Sequence, residues 1–170
     1  MLTGFAWAPS LAGAVLADAP VADNPTLNGS TRALLGQLAE HVIPETDTPG
    51  ALAAGVDRFL TRMLESYLSA DDAAAYRAGL ASLDQVARGH GAERFVDLPQ
   101  AEQRRLLEDL DRCAFSGDGS PLAEFWRRHK ALTVFGYYTS EVGATVELRA
   151  MPMGPYEADI PYDQVGRSWS

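Results

Sequence analysis

Apolar residues recur along this chain at intervals of three and four positions, the spacing of an amphipathic helix. The pattern predicts a first helix over residues 31–42 and a second from about residue 51 or 56 to residue 68. Ser69 is a typical N-cap, and it predicts a third helix that ends at Gly89 or Gly91. No segment alternates long enough to build a sheet, so we expect an all-α fold.

Two further helices are predicted, and they differ in how many apolar side chains they are expected to bury. The fourth starts at Pro99 and is highly charged over residues 101–111, so we expect it to be a surface helix. Only three of its residues are expected to be buried: Leu106, Leu107 and Leu110. Ser120 and Pro121 open the fifth, which we expect to be the central helix because it is rich in large apolar and aromatic residues. Its main apolar residues are Leu122, Phe125, Trp126, Leu132, Phe135, Tyr137 and Tyr138.

The two ends of the chain lack helical periodicity. We therefore divide the sequence into a leader and linker over residues 1–29 and a single domain of about five helices over residues 30–170. The last part of that domain, residues 150–170, is predicted to be an extended irregular arm laid over a surface, because it carries Tyr156 and Trp169 without a helical period.

The leader is apolar and nearly free of charge over residues 4–17. Small residues that suit a signal peptidase follow it, for example at Ala17-Asp18-Ala19, although no basic segment precedes it. One interpretation is the second half of an export signal, which makes the mature protein periplasmic. The other is an apolar leader that packs on the domain or on a partner. Past the leader, no apolar run reaches the length of about 18 residues that a membrane span needs.

Composition excludes several classes of function. The formal charge of −9 over 170 residues disfavours binding to nucleic acid. Cys113 is the only cysteine, so the chain has no intramolecular disulfide. We expect Cys113 to be a small buried thiol, with a disulfide to another subunit as the alternative. The basic run from Arg127 to Lys130 is either a solvated helix flank or a docking patch for an acidic partner.

Catalytic and cofactor motifs are missing from the sequence. The segment from Gly89 to Arg94 lacks the third glycine and the preceding strand of a dinucleotide-binding turn, and a single cysteine cannot attach a c-type haem. The three histidines have no metal-ligand spacing. We interpret His129 as a hydrogen-bonded core or interface residue, with a metal or haem ligand as the alternative, and His41 as a dipole-compensating or solvated side chain.

The most specific motifs are a rigid loop and an aromatic helix end. The loop, Ile43–Ala51, contains two prolines around capping residues, and the helix end is Leu132–Gly143. Together with three weaker motifs they resemble the small-subunit ("subunit 3") family of gluconate 2-dehydrogenase over roughly residues 31–170. The weaker motifs are Ala54–Phe59, Gly79–Asp84 and Phe95–Gln103. In the C-terminal arm the resemblance extends to Tyr156, Pro161 and Gly166–Trp169.

This resemblance implies a non-catalytic third subunit of a membrane-associated dehydrogenase. It also implies two partners: a flavoprotein of the glucose-methanol-choline type that holds FAD, and a cytochrome c subunit with several haems. The small subunit of such a complex often carries the twin-arginine export signal of the flavoprotein. The alternative function is a free-standing periplasmic helical protein that binds a small ligand or haem through His129. The expected partner-interface residues are Pro44, Thr46, Asp47, Thr48, Pro49, Trp126, Phe135, Tyr137, Tyr138, Tyr156 and Trp169.

Overall fold

A computed structural model describes residue 27, residues 29–148 and residue 161. It contains five α-helices: α1 Gly29–Val42, α2 Val56–Arg62, α3 Ala70–Gly89, α4 Gln100–Phe115 and α5 Pro121–Tyr138. A π-helix at Met63–Tyr67 continues α2, another at Gly143–Glu147 follows α5, and a 3₁₀ turn at Phe95–Asp97 precedes α4. No strand occurs among these residues, so the all-α prediction is confirmed.

The predicted helix starts are largely correct. The Ser69 hydroxyl accepts from the Asp72 amide at 3.1 Å, and the Ser120 hydroxyl accepts from the Ala123 amide at 3.2 Å. Each hydroxyl therefore satisfies an N–H group that the first helical turn leaves free. Pro99 is the N-cap residue of α4, one position before the helix that it was expected to begin.

The start of α2 follows from the conformation of Gly55. Gly55 has φ +75°, a left-handed backbone that residues with a side chain rarely adopt. Residues 51–55 are therefore a turn, and the later of the two predicted starts, Val56, is correct. The π-helix then ends at Tyr67, one residue before the predicted end.

Helix α5 is the centre of the fold, as predicted, because it contacts α1, α2, α3 and α4. Two glycines permit close approach: Gly79 of α3 lies against the ring of Phe125, and Gly136 of α5 lies against the ring of Phe59. The large side chains that are almost fully enclosed come from several elements: Leu35, Leu38, Val56, Leu60, Tyr76, Phe95, His129, Thr133 and Tyr137.

Helix α4 is a surface helix, but the expectation that it buries only three leucines is wrong. Leu107 is buried, Leu106 and Leu110 are half-buried, and the other buried positions are Gln103 and Ala114. Gln103 can be buried because its amide is fully used, as a buried polar group requires. It accepts from Gln37 at 2.6 Å and His41 at 3.2 Å, and it donates to the carbonyls of Val96 and Leu98.

The prediction of a buried thiol is also wrong, since Cys113 is exposed on the outer side of α4. That prediction rested only on the apolar character of cysteine. The position of Cys113 on α4 instead exposes its side chain to solvent. A disulfide between Cys113 and another subunit stays a prediction.

The leader, the linker and most of the C-terminal arm lie outside the described residues, so the division at residues 1–29 and 30–170 also stays a prediction. None of the helices in the described part of the chain combines the length and the hydropathy of a membrane span.

Candidate partner-binding surface

The loop between α1 and α2 is organised by one carboxylate. Oε1 of Glu40 accepts from the Glu45 amide and Oε2 accepts from the Leu52 amide, each at 2.9 Å. A side chain would not fit at Gly50, because its Cβ would collide with the Glu40 carboxylate. Glu40 therefore supplies acceptors to two amides that follow the end of α1, which Pro44 prevents from continuing.

Three more hydrogen bonds fix the loop. The Thr46 amide donates to the Thr48 carbonyl at 3.0 Å, and the Ala51 amide donates to the Ile43 carbonyl at 2.9 Å. The Tyr137 hydroxyl donates to the Pro49 carbonyl at 2.8 Å and thereby ties the loop to α5. These bonds support the prediction of a stiff loop. They leave three of its predicted interface residues exposed, Pro44, Thr46 and Asp47, and two half-buried, Thr48 and Pro49.

Replacing Glu40 by alanine is expected to loosen this loop and lower the free energy of unfolding by about 1 kcal/mol, because two loop amides lose a charged acceptor. Glu108→Ala, which removes an exposed glutamate of α4, is the matched control. Hydrogen exchange by mass spectrometry should show faster exchange at Glu45 and Leu52 in Glu40→Ala only. Equal exchange in the two variants would show that Glu40 does not hold the loop.

The end of α5 presents exposed apolar side chains on one side. Val134 is 41% exposed, Phe135 59% and Tyr138 38%. Phe59 of α2 is half-buried beside them, with its ring centroid 5.9 Å from that of Phe135. We refer to Phe59, Val134, Phe135 and Tyr138 as the aromatic surface.

Sequence reasoning named Phe135 and Tyr138 but missed Val134 and Phe59. The three- and four-residue spacing of Ala131, Val134 and Tyr138 could have indicated Val134, whereas Phe59 belongs to another helix.

Two other predicted interface residues are covered by the chain itself. Tyr137 is 1% exposed and lies beneath the loop. Trp126 is also buried, where its Nε1 donates to Asp111 at 2.7 Å and its ring stacks on His129 with a centroid distance of 5.7 Å. Both side chains are therefore held by contacts within the chain. Tyr156 and Trp169 lie outside the described residues.

His129 is a hydrogen-bonded core residue, which confirms the first of its two interpretations. It is fully buried, the Tyr76 hydroxyl lies 2.6 Å from its Nδ1, and the Thr133 hydroxyl lies 3.5 Å from its Nε2. Burial lowers the pKa of His129 to about 4, although a hydrogen bond to the Leu38 carbonyl opposes this shift. Both ring nitrogens already have partners in the chain, and no cluster suited to a metal ion occurs in the described part of the chain.

The remaining candidate cations also have intramolecular partners. Arg127 donates to the carbonyls of Ala114 and Asp118, at 2.6 and 2.8 Å. Arg128 pairs with Asp72 and Lys130 pairs with Asp111, both at 2.6 Å. These contacts favour a helix flank over a docking patch. His41 is half-buried against Gln103 and is therefore not simply solvated, and it lies in the last turn of α1, where the dipole-compensating role stays a prediction.

A groove of about 720 Å³ borders the outer side of the loop, between α1, α4 and α5. Its lining mixes apolar side chains such as Leu107 and Trp126 with charges of both signs, among them Arg104 and Glu108. This mixture points to no single class of small ligand.

Comparison with protein families gives one match, to the model described as gluconate 2-dehydrogenase subunit 3, over residues 30–154. Comparisons with curated proteins and with solved structures gave no match. The matched region contains all five helices, the loop held by Glu40 and the aromatic surface. Since the match covers well over half of the sequence, the chain belongs to the gluconate 2-dehydrogenase subunit 3 family, and is thus a subunit of a complex with further chains.

Proposed function

We propose that this chain is the non-catalytic small subunit of an FAD-dependent dehydrogenase complex that oxidises a sugar or sugar acid. It binds and stabilises a flavoprotein of the glucose-methanol-choline type and helps to export it. FAD belongs to that flavoprotein, and c-type haem belongs to a further cytochrome subunit. The complex is periplasmic and associates with the membrane through its other subunits. Family membership supports this proposal, as does the apolar leader for the export step.

The aromatic surface is the observation that carries the proposal. Aromatic side chains are enriched in the buried centres of protein interfaces, where they contribute large contact areas. Phe135 and Tyr138 are side chains of this kind, and they lie on a rigid helix instead of a loop. A partner can therefore bury them without first ordering the backbone, which lowers the cost of association.

The loop and the aromatic surface form one rigid unit. Tyr137 lies between Gly136 and Tyr138, and its hydroxyl holds the loop at Pro49. Tyr137 and Tyr138 also contact each other edge to face, with centroids 5.2 Å apart. A partner that binds the aromatic surface can thus meet the exposed loop residues in a fixed orientation.

The test is coexpression of the full chain with a flavoprotein dehydrogenase of the glucose-methanol-choline type from the same organism. We expect the two proteins to copurify, and we expect the double variant Phe135→Ser, Tyr138→Ser to weaken binding at least about tenfold, which corresponds to about 1.4 kcal/mol. Phe115→Ser is the matched control, since Phe115 is 61% exposed at the end of α4 and its ring contacts Lys130, which is not part of the aromatic surface. Unchanged binding by the double variant would reject the aromatic surface as the docking site.

A further inference from the structure

Exposed carboxylates lie on two sides of the aromatic surface. Glu45 and Asp47 belong to the loop that the Tyr137 hydroxyl ties to α5. Glu141 follows the end of α5, three residues after Tyr138. A protein interface of ordinary size covers about 800 Å² on each partner, a patch about 30 Å across. A partner centred on the aromatic surface therefore also covers the loop and the end of α5.

The chain itself does not neutralise these carboxylates. The Thr46 hydroxyl donates to Asp47 at 3.1 Å, which satisfies one oxygen without supplying a positive charge. Within the described part of the chain, Glu45, Asp47 and Glu141 form no ion pair. Asp111, in contrast, is paired with Lys130. The three carboxylates are thus available to a partner.

The local sequence reinforces this negative charge. Residues 43–55 and residues 131–148 contain acidic side chains but no lysine or arginine. The nearest arginines along α2 are Arg58 and Arg62, which flank Phe59, and both already have interaction partners. The aromatic surface is therefore bordered by negative charge on the side of the loop and at the end of α5.

We propose that the flavoprotein docks through a basic face, with arginine and lysine side chains opposite Glu45, Asp47 and Glu141. This inference rests on the proposed function and adds the chemistry of the partner's surface. An apolar pocket within that face receives Phe135 and Tyr138. Like charges that face each other oppose association, so the carboxylates reject an acidic face, whereas arginine can bind a carboxylate through two parallel hydrogen bonds.

The expected signature is kinetic, because charges at the rim of an interface steer the encounter more than they hold the complex. Salt screens exposed charges, with a Debye length of about 8 Å at physiological ionic strength and about 3 Å at 1 M. Association should therefore slow as salt is added. Dissociation depends mainly on the buried contacts of the aromatic surface and should change much less.

Stopped-flow mixing of the full-length chain with a separately purified flavoprotein of the glucose-methanol-choline type tests the proposal. We expect the association rate constant to fall about tenfold between about 0.02 and about 0.5 M NaCl. Glu45→Gln, Asp47→Asn should associate about fivefold more slowly than the wild type at low salt and at nearly the same rate at high salt. Its dissociation rate should stay within about twofold of the wild type.

Glu93→Gln, Glu124→Gln is the matched control, because it removes the same charge from two exposed glutamates. Glu93 lies between α3 and α4, and Glu124 lies in the first turn of α5, about 16 Å along the helix from Phe135. The control should slow association by less than about twofold. Equal slowing by the two double variants would overturn the proposal.

The wild type separates this proposal from the proposed function. Binding to the flavoprotein with an association rate that does not fall with salt would reject the basic face and leave the proposed function intact. No binding at any salt concentration would reject the proposed function and the basic face together.

Discussion

Lowering the pH from 7 to about 4 is expected to reduce the free energy of unfolding by about 3 kcal/mol through His129 alone. The pKa of His129 falls from its ordinary value of 6.5 to about 4 in the folded chain, because burial disfavours the charged ring. Below pH 6.5 the unfolded chain binds a proton that the folded chain does not bind. Stability is therefore complete above pH 6.5, falls as the pH decreases, and stops falling near pH 4.

The groups around His129 do not offset this loss. Tyr76 of α3, Thr133 of α5 and the Leu38 carbonyl of α1 are its hydrogen-bonding neighbours, and burial raises the pKa of Tyr76 so that it stays neutral. The pKa values of the paired carboxylates Asp72 and Asp97 are lowered from their ordinary value, chiefly by side-chain hydrogen bonds from Ser69 and Arg94 respectively. They lose their contribution only below about pH 4, outside the window of His129.

Urea unfolding at a series of pH values between 7 and 4.5 measures this effect. His129→Gln removes the titration, so the stability of that variant should depend much less on pH across this window. His90→Gln is the comparison variant, because His90 is exposed and pairs with Glu102 outside the core, and we expect it to change the slope much less than His129→Gln does. Parallel slopes for the wild type and His129→Gln would refute the role of His129.

Gly79→Ala is expected to destabilise the chain by about 2 kcal/mol, although alanine is the better helix former. Gly79 lies inside α3, and a Cβ there would overlap Cβ and Cγ of Phe125. These atoms are the base of a buried ring, so they cannot move aside as the end of a flexible side chain can. The ring also packs edge to face on Tyr76, with centroids 4.9 Å apart, and any shift disturbs that contact.

Gly89→Ala provides a control in the same helix. Nothing lies within 4 Å of a Cβ at Gly89, so the substitution should be neutral or stabilise the chain by up to about 1 kcal/mol. Thermal or urea unfolding of the two variants should thus give changes of opposite sign or of very different size. Similar changes in both would mean that α3 and α5 do not approach as closely as described.

Periodicity and capping were sufficient to predict the helices of this fold. Ser69 and Ser120 each precede a change of pattern, and each caps the helix it was expected to cap. The burial of α4 was predicted less well, because burial depends on neighbours from other helices. Gln103 is buried only because Gln37 and two carbonyls supply its hydrogen bonds, and a helical pattern does not contain that information.

The candidate surface was predictable in part. The loop motif and the aromatic end of α5 were visible in the sequence, but the link between them was not, since Tyr137 and Pro49 lie far apart along the chain. Aromatic character alone could not separate the buried Trp126 and Tyr137 from the exposed Phe135 and Tyr138. The role of Glu40 was not predictable from the sequence either. Its two amide partners reach the carboxylate only because the chain turns back at Gly50.

Size-exclusion chromatography with light scattering and flavin absorbance, on this chain coexpressed with the proposed flavoprotein partner, tests the central claim most directly. We predict one species that contains both proteins in a fixed ratio, absorbs as a flavoprotein, and separates only on denaturation. Elution of this chain as a stable monomer, with all of the flavin in a separate and equally stable peak, would contradict its assignment as the binding subunit of a dehydrogenase.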